Sequence, residues 1–249
     1  MSAMRLEGKT ALVTGGASGF GAGIARTFRA EGAEVMIADR NGEALEAMAA
    51  VLGTAQVRAD VGTDAGVEAM TSAVLAAFGH LDILVNNAGI THLPAPMEDI
   101  GEPEFDRVLQ VNAKSVYLTA RHLVPVMKAR GAGVILNIAS TAALSPRPRL
   151  VWYNASKGWM VTATKGMAVE LAPYGIRVNA LCPVAGETPL LKSFLGEDTP
   201  EMRAKFLATI PLGRFATPQD LGSAAAFLCS DEASMLTGVA LEVDGGRCI

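Results

Sequence analysis

The 249-residue chain has few of the residues that build metal centres or disulfide frameworks. Its three cysteines, Cys182, Cys229 and Cys248, are far apart and form no Cys-x-x-Cys or Cys/His spacing, and its three histidines are equally scattered. These patterns exclude a disulfide framework and argue against a zinc site or a Ser/His pair. We therefore expect free thiols, with Cys182 as a small core residue, and no bound metal.

Charge and long apolar runs are also scarce. Charged residues make up 18% of the chain, the net charge is −4 and no basic run is present, so neither nucleic acid nor an acidic membrane surface is favoured as a partner. No apolar run approaches the ~20 residues that span a bilayer. Residues 1–9 lack the apolar stretch of an export signal. We expect a soluble, cytoplasmic protein with a small-molecule ligand.

Short apolar runs that alternate with long amphipathic segments are abundant. The segments are long enough for right-handed crossovers, and the 50% hydrophobic content favours one domain over residues 1–249. The pattern predicts a single-domain, doubly wound α/β fold of the Rossmann type, with a seven-stranded parallel sheet between helices. Strands are predicted over 10–14, 34–38, 56–59, 82–86, 134–139, 176–182 and 239–243, and helices over 19–31, 43–52, 64–78, 103–129, 152–172 and 218–230.

The segment 185–212 has no clear strand character. It contains Pro189, Pro200 and Pro211 together with several charges. Long irregular segments inside a compact domain commonly cover a functional site. We predict a helical insertion that acts as a substrate lid.

A glycine-rich turn follows the first predicted strand. Gly15, Gly19 and Gly21 give the spacing Gly-x-x-x-Gly-x-Gly, and Ser18 and Phe20 lie within the same turn. Such a turn presents backbone N–H groups at a helix N-terminus, where a pyrophosphate is stabilised. The spacing differs from the commoner Gly-x-Gly-x-x-Gly fingerprint, so a plain strand-to-helix turn is the alternative. We predict that all five residues bind a dinucleotide.

Asp39 and Arg40 follow the second predicted strand. A carboxylate there accepts hydrogen bonds from an adenosine ribose and repels a 2′-phosphate, which favours NAD over NADP. The adjacent Arg40 leaves NADP possible. The alternative is that Asp39 only begins the turn over 39–42.

Ser140, Tyr153 and Lys157 predict hydride-transfer chemistry. A phenol has a pKa near ~10, but an ammonium at i+4 favours the phenolate and pulls that pKa toward neutral. Tyr153 is then the acid–base group, and Ser140, at the end of a strand, donates a hydrogen bond to the substrate oxygen. The alternatives are a loop-capping serine and a solvated helical lysine.

These motifs occur in order with Asp60-Val61, the 86–89 turn, Asn112 and a terminal Val-Asp-Gly-Gly run. Over essentially its whole length the chain resembles the short-chain dehydrogenase/reductase family, in its single-domain branch. The resemblance implies that Asp60 and Val61 border the adenine, and that Asn112 holds a water beside Lys157. It also implies that Lys157 binds the nicotinamide ribose, and that the 86–89 turn lines the cofactor cleft through Asn87, Ala88 and Gly89.

The chain departs from this family after the sixth predicted strand. Where the family has Pro-Gly, the segment 183–188 reads Pro-Val-Ala-Gly-Glu-Thr. Thr188 still falls where the family places a hydroxyl beside the nicotinamide carboxamide, and Pro183 and Gly186 are the remaining predicted cofactor residues. Val184 restricts backbone freedom that glycine would allow.

The substrate pocket is expected from 140–152, 91–97 and the lid. Arg147 and Arg149 could pair with a substrate anion through bidentate hydrogen bonds, or they could be solvated or lie at a subunit interface. Trp152 could be a pocket wall or a packing residue. A sugar, a hydroxy acid and an aromatic secondary alcohol all remain open as substrates.

We therefore predict an NAD-dependent oxidoreductase that interconverts a secondary alcohol and a ketone. A 3-oxoacyl thioester (acyl carrier protein) reductase that uses NADPH is the alternative enzyme, and a non-catalytic dinucleotide sensor is the alternative outside enzymes. The apolar surface of the helices over 103–129 and 152–172 predicts pairing across a two-fold axis. The resemblance implies a homotetramer.

Overall fold

The sheet, together with the helices packed on it, positions the predicted site residues. A computed structural model describes residues 4–249, so residues 1–3, on which the expectation of no export signal partly rests, lie outside the described residues. Seven parallel strands lie in the order β3-β2-β1-β4-β5-β6-β7, which confirms the predicted fold class. They are β1 (Thr10–Thr14), β2 (Glu34–Asp39), β3 (Ala55–Arg58), β4 (Ile83–Asn86), β5 (Gly133–Ile138), β6 (Ile176–Pro183) and β7 (Ala240–Val243).

Helices cover both faces of this sheet. Along β1, Val13 packs in one apolar cluster with Phe28, while the adjacent Leu12 packs in the other with Met70, as the two-residue period of a strand requires. No helix within residues 4–249 has the length and apolar content needed to cross a membrane. The helices are α1 (Gly19–Ala30), α2 (Gly42–Leu52), α3 (Asp64–Phe78), α4 (Glu102–Leu109), α5 (Ser115–Arg130), α6 (Val151–Leu171), α7 (Leu191–Leu195), α8 (Pro200–Leu207) and α9 (Pro218–Cys229).

Strand order reverses at β1, which pairs with β2 on one side and β4 on the other. In an open parallel sheet the carboxyl ends of strands at such a point border a crevice. The glycine-rich turn follows β1 and the 86–89 turn begins at the end of β4. The sheet topology therefore brings these two turns together.

A chain of buried polar side chains crosses the middle of the sheet. Asn86 on β4 and Asn137 on β5 are register partners, and the Asn86 amide donates to Asn137 Oδ1 at 2.9 Å. Thr119 of α5 donates to Asn86 Oδ1 at 2.9 Å, and Asn137 donates to Thr164 of α6 at 2.9 Å. The Thr164 hydroxyl donates to the Met160 carbonyl at 2.9 Å. These bonds tie α5 and α6 to the sheet at fixed heights.

The single helix predicted over 103–129 is not one regular helix. A π-helical turn, Gln110–Lys114, separates α4 from α5. Asn112 lies in this turn, and its side chain is fully buried. A second irregularity is Pro125, which lies inside α5. The apolar period of the sequence reveals neither the π-helical turn nor the accommodation of this proline.

Candidate active site

One cavity of about 370 Å³ lies at the carboxyl ends of the central strands. Among the predicted site residues only Gly21 and Asn112 are absent from its wall. The predicted residues that line it are Gly15, Ser18, Gly19, Phe20, Asp39, Arg40, Asp60, Val61, Asn87, Ala88, Gly89, Ser140, Tyr153, Lys157, Pro183, Gly186 and Thr188.

Sequence reasoning missed the apolar part of the wall. Ile138 and Ala139 line the cavity from the end of β5, and Leu191 and Phe194 line it from α7. The only signal for the first pair was their position just before Ser140. The second pair lies in the predicted lid, where no period marked which side chains face inward.

The glycine-rich turn approaches the 86–89 turn too closely for side chains. Gly15 and Gly19 have positive φ values of 63° and 54°. A Cβ at Gly15 would lie 2.9 Å from the Ala88 Cα, and one at Gly21 would collide with the Gly15 carbonyl oxygen. Ser18, the residue before α1, makes no side-chain capping bond. The first N–H groups of α1 are therefore left for a ligand in the cavity.

The turn after β4 holds the glycine-rich turn in place. Asn87 Nδ2 donates to the carbonyls of Thr14 and Gly15, at 2.8 and 3.0 Å. The backbone N–H groups of Asn87 and Ala88 donate to the Thr14 hydroxyl, at 3.0 and 3.1 Å. Asn87 thus positions the turn through its side chain in addition to lining the cavity.

Asp39 both begins the turn after β2 and lines the cavity. One carboxylate oxygen accepts from the backbone N–H of Asn41 at 3.0 Å, and the other accepts from that of Ala17 at 3.4 Å. The half-exposed carboxylate also lines the cavity. Arg40 beside it is exposed. Asp39 therefore closes the loop between β2 and α2 while presenting negative charge to the cavity.

Tyr153 and Ser140 meet at the opposite end of the cavity. Tyr153 is 5% exposed, and its ring meets Phe194 edge-on at a centroid distance of 5.6 Å. Burial is the largest influence on its hydroxyl and raises the pKa, against smaller lowering effects of the Ser140 hydroxyl and the Arg147 charge. Ser140 Oγ accepts from the Ala142 N–H at 3.1 Å.

Lys157 is buried one helical turn after Tyr153. Its ammonium donates to the Ile138 carbonyl at 2.8 Å, and burial lowers its pKa to about 8. A Cβ at Gly89 would lie 3.3 Å from Nζ, so the glycine keeps the space in front of the ammonium open. The expectation that the phenol pKa is drawn toward neutral is wrong for the chain alone, because burial outweighs the neighbouring charges.

Asn112 has the specific partners that a buried amide needs. Its Oδ1 accepts from the Ile90 N–H and its Nδ2 donates to the Ile90 carbonyl, both at 2.9 Å. Nδ2 also donates to the Ser156 hydroxyl at 2.9 Å. The amide thereby fixes the chain after Gly89 against α6, next to Lys157.

The displaced glycine in 183–188 has a packing reason. A Cβ at Gly186 would collide with the Phe20 ring and lie 2.8 Å from the Ala216 carbonyl oxygen. Val184 instead continues the strand, since its N–H donates to the Val243 carbonyl at 3.2 Å. Thr188 packs against the glycine-rich turn, where a Cβ at Gly19 would lie 3.1 Å from the Thr188 Cβ.

The three residues considered for the substrate pocket lie in different surroundings. Trp152 donates through Nε1 to the Met97 carbonyl at 3.0 Å and meets the Phe105 ring edge-on at 5.4 Å, away from the cavity wall. Arg149 is exposed, with a positive φ of 65°. Arg147 is also absent from the cavity wall, but its guanidinium lies over the ring of Phe194, which lines the cavity. Trp152 is therefore a packing residue.

Two of the three cysteines, Cys182 and Cys229, are buried. Burial raises the pKa of Cys182 to about 11 and that of Cys229 to about 12, so these thiols stay protonated near neutral pH. Within residues 4–249 no three His, Cys, Asp or Glu side chains are grouped as metal ligands.

Comparisons with known proteins agree with this geometry. A family model described as enoyl-(acyl carrier protein) reductase matches residues 15–247. The chain is 50% identical to 4-formylbenzenesulfonate dehydrogenase TsaC1/TsaC2 of Comamonas testosteroni, covering 99% of this chain and 100% of the relative. It is 40% identical to D-threitol dehydrogenase of Mycolicibacterium smegmatis, covering 98% and 95%.

A solved structure has the same backbone arrangement. The crystal structure of a 3-ketoacyl-(acyl-carrier-protein) reductase from Brucella melitensis, complexed with NADH, has a TM-score of 0.94 and 54% sequence identity. The match covers 98% of this chain and 100% of that one. The relatives are thus named as dehydrogenases and reductases, and their matches cover nearly the whole chain.

Proposed function

The chain belongs to the short-chain dehydrogenase/reductase family and is an oxidoreductase; from that premise we propose that it interconverts a secondary alcohol and a ketone with NAD. The observation that carries the proposal is one cavity with two ends. The glycine-rich turn and Asp39 form one end, and Ser140, Tyr153 and Lys157 form the other. One cavity therefore joins the turn proposed to hold the dinucleotide to the groups proposed to react.

The wall fits a nicotinamide dinucleotide. The open N-terminus of α1 would hold the pyrophosphate, and Asp39 would accept hydrogen bonds from the adenosine ribose. Asp60 and Val61 would border the adenine, and Thr188 would lie beside the nicotinamide. When bound, the nicotinamide supplies the hydride acceptor or donor. Every other step of the chemistry falls to the chain's own side chains.

Tyr153 exchanges the proton of the reacting hydroxyl. Since burial raises its pKa, the phenol is protonated near neutral pH and serves as the acid in ketone reduction. Alcohol oxidation needs the phenolate. We therefore expect kcat/KM for oxidation to rise with pH beyond neutrality, and an oxidation rate that is flat from pH 7 to pH 10 would contradict this role.

Ser140 can donate. Its oxygen accepts the Ala142 N–H at 3.1 Å, so its hydroxyl hydrogen can donate to Tyr153 or to a substrate oxygen in the cavity. Lys157 stays positive below its pKa of about 8 and stabilises charge beside Tyr153. Asn112 positions the chain in front of Lys157, and the relay water implied by family resemblance would lie there.

The test of the catalytic assignment is Tyr153→Phe. This change keeps the buried ring but removes the acid–base group, so turnover is expected to fall by about 10²–10⁴-fold while NADH affinity, measured by fluorescence titration, is unchanged. Tyr174→Phe, at a half-exposed ring outside the cavity wall, is the matched control. Equal turnover of the Tyr153→Phe variant and the wild type would refute the mechanism, whereas cofactor binding without turnover in the wild type would favour the dinucleotide-sensor alternative.

NAD preference rests on Asp39. Wild-type enzyme is expected to turn over with NAD and to bind NADP weakly, because the carboxylate repels a 2′-phosphate. Asp39→Ser should lower the ratio of kcat/KM with NAD to kcat/KM with NADP by at least about tenfold, since one charge repulsion is removed. Preference for NADP in the wild type would overturn the assignment.

A 3-oxoacyl thioester reductase is the second candidate. The 54% identical structure, which is a 3-ketoacyl-(acyl-carrier-protein) reductase, favours it, and the family model is also described as a reductase of acyl carrier protein substrates. Reduction of acetoacetyl thioesters with NADH and with NADPH, measured beside oxidation of secondary alcohols and polyols, separates the candidates. Faster turnover of the thioester would establish the second one.

We also propose self-association through the helices flanking the sheet. Tyr117 on α5 and Trp159 and Val169 on α6 are exposed apolar side chains, at 52%, 43% and 80%. Exposed apolar side chains on adjacent helices are typical of a two-fold interface. A tetramer by light scattering is the expected result.

A further inference from the structure

Arg147 is an inward-facing charge without a counter-ion. Its guanidinium carbon lies 4.7 Å from the ring centroid of Phe194 and 4.5 Å from that of Phe206. Its Nη1 is buried and has no hydrogen-bond partner among residues 4–249. A buried guanidinium nitrogen that makes no hydrogen bond is costly, because the water it has lost is not replaced.

The surroundings make that charge more costly. None of the ion pairs between described residues includes Arg147. Burial and, to a smaller extent, the like charge of Arg247 lower the pKa of Arg147, whereas Tyr153 raises it. The two guanidiniums raise the local positive potential around Arg147 in a chain whose net charge is −4.

The Arg147 loop is held in place. Its backbone carbonyl accepts from Asn154 Nδ2 at 2.7 Å, which anchors the loop to the first turn of α6. Phe194, on which the guanidinium lies, lines the cavity and also meets the Tyr153 ring. The cation is therefore one aromatic ring away from the acid–base group, and it lowers the pKa of Tyr153.

We propose that Arg147 binds a carboxylate or sulfonate of the substrate, carried on a flat apolar body that lies against Phe194 with its alcohol carbon at Tyr153. A guanidinium fork matches the paired oxygens of such a group, and the aromatic surfaces between the fork and the phenol match an aryl ring. This assignment rests on the proposed function and specifies its substrate class.

The test compares two alcohols that differ in charge only. 4-(1-Hydroxyethyl)benzoate and 4-(1-hydroxyethyl)benzamide have the same shape, and the wild type is expected to have a lower KM for the benzoate by about 10–100-fold, the value of a charge-assisted hydrogen bond. Arg147→Met keeps the packing on the two rings and should abolish that ratio. Arg147→Lys should restore part of it.

Arg149→Met is the matched control, because that exposed guanidinium lies two residues away and its one hydrogen bond among the described residues is to the Pro94 carbonyl at 3.4 Å. It should leave the benzoate-to-benzamide ratio unchanged. The assignment would be overturned if the wild type did not prefer the benzoate and if both the wild type and Arg147→Met oxidised the benzamide at the same rate. The proposed function would still stand in that case. A tetramer lost in Arg147→Met with the ratio intact would assign Arg147 to an interface instead.

A binding readout covers the case in which neither alcohol is oxidised, which would count against the proposed function itself. Benzenesulfonate and benzoate, titrated calorimetrically into the wild-type enzyme, should bind and should lose at least about tenfold in affinity in Arg147→Met. Absence of binding to the wild type at millimolar concentration would refute the anion site regardless of activity.

Discussion

Replacing Lys157 by methionine should stabilise the fold at neutral pH while it removes activity. The ammonium is 4% exposed, and burial lowers its pKa from the ordinary 10.5 to about 8. At 1.36 kcal/mol per pKa unit, keeping this lysine charged costs the folded state roughly 3 kcal/mol at pH 7. Methionine has a similar length and carries no charge.

The gain is partly offset. Lys157 donates to the Ile138 carbonyl at 2.8 Å, and a carbonyl left without a donor costs about 1–3 kcal/mol. The net expectation at pH 7 is a variant more stable by about 0–2 kcal/mol. Since the folded pKa of the lysine is depressed, the unfolded chain binds more protons between pH 8 and 10.5, and the stability of the wild type rises with pH through that window.

The diagnostic quantity is therefore the pH dependence of the difference. Urea denaturation of both proteins at pH 7, 9 and 10.5, at one protein concentration, should show the advantage of Lys157→Met falling by roughly 3 kcal/mol and reversing in sign. Lys165→Met, at an exposed lysine two turns further along α6, should show no such trend. A difference that stays constant over this range would refute the burial cost assigned to Lys157.

Three further changes have defined outcomes. Asn137→Ala should lower the free energy of unfolding by about 2–3 kcal/mol in urea denaturation, because two buried neighbours lose their partner. Asp220→Asn should cost about 1 kcal/mol at pH 7 by the same assay, since Arg214 and the α9 cap hold the pKa of the Asp220 carboxyl below its usual range. That stability is present above the unfolded pKa and lost as pH falls, so the two proteins should converge in strong acid. Gly186→Ala should weaken NADH binding by about tenfold in a fluorescence titration, because its Cβ displaces the Phe20 ring.

The strands and the glycine-rich turn were predictable because each has a local signature, whereas the apolar part of the cavity wall has none. A buried strand is a short apolar run, and a turn with positive φ needs glycine, as at Gly15 and Gly19. Strand ends therefore differ by only a residue or two from the prediction. The same local rules located the helix that carries Tyr153 and Lys157.

Features that depend on contacts between distant segments could not be predicted in this way. The π-helical turn at Gln110–Lys114 is specified by the partners of Asn112, which lie on the loop after β4 and on α6. The raised pKa of Tyr153 follows from burial that i,i+4 spacing does not encode. Arg147 rests on Phe194 and Phe206 because α7 and α8 fold back over the site, and their short lengths give no hydrophobic period.

The polar chain through the sheet runs in one direction, from the Thr119 hydroxyl through Asn86 and Asn137 to Thr164 and finally the Met160 carbonyl. Each asparagine accepts from the side chain before it and donates to the one after it. A flip of Asn86 would therefore set its oxygen against the Asn137 oxygen, and a flip of Asn137 would set its nitrogen against the Asn86 nitrogen. No member can then be exchanged alone without leaving a buried neighbour unmatched. The four side chains should be inherited as one unit, kept together or replaced together when the sequence diverges.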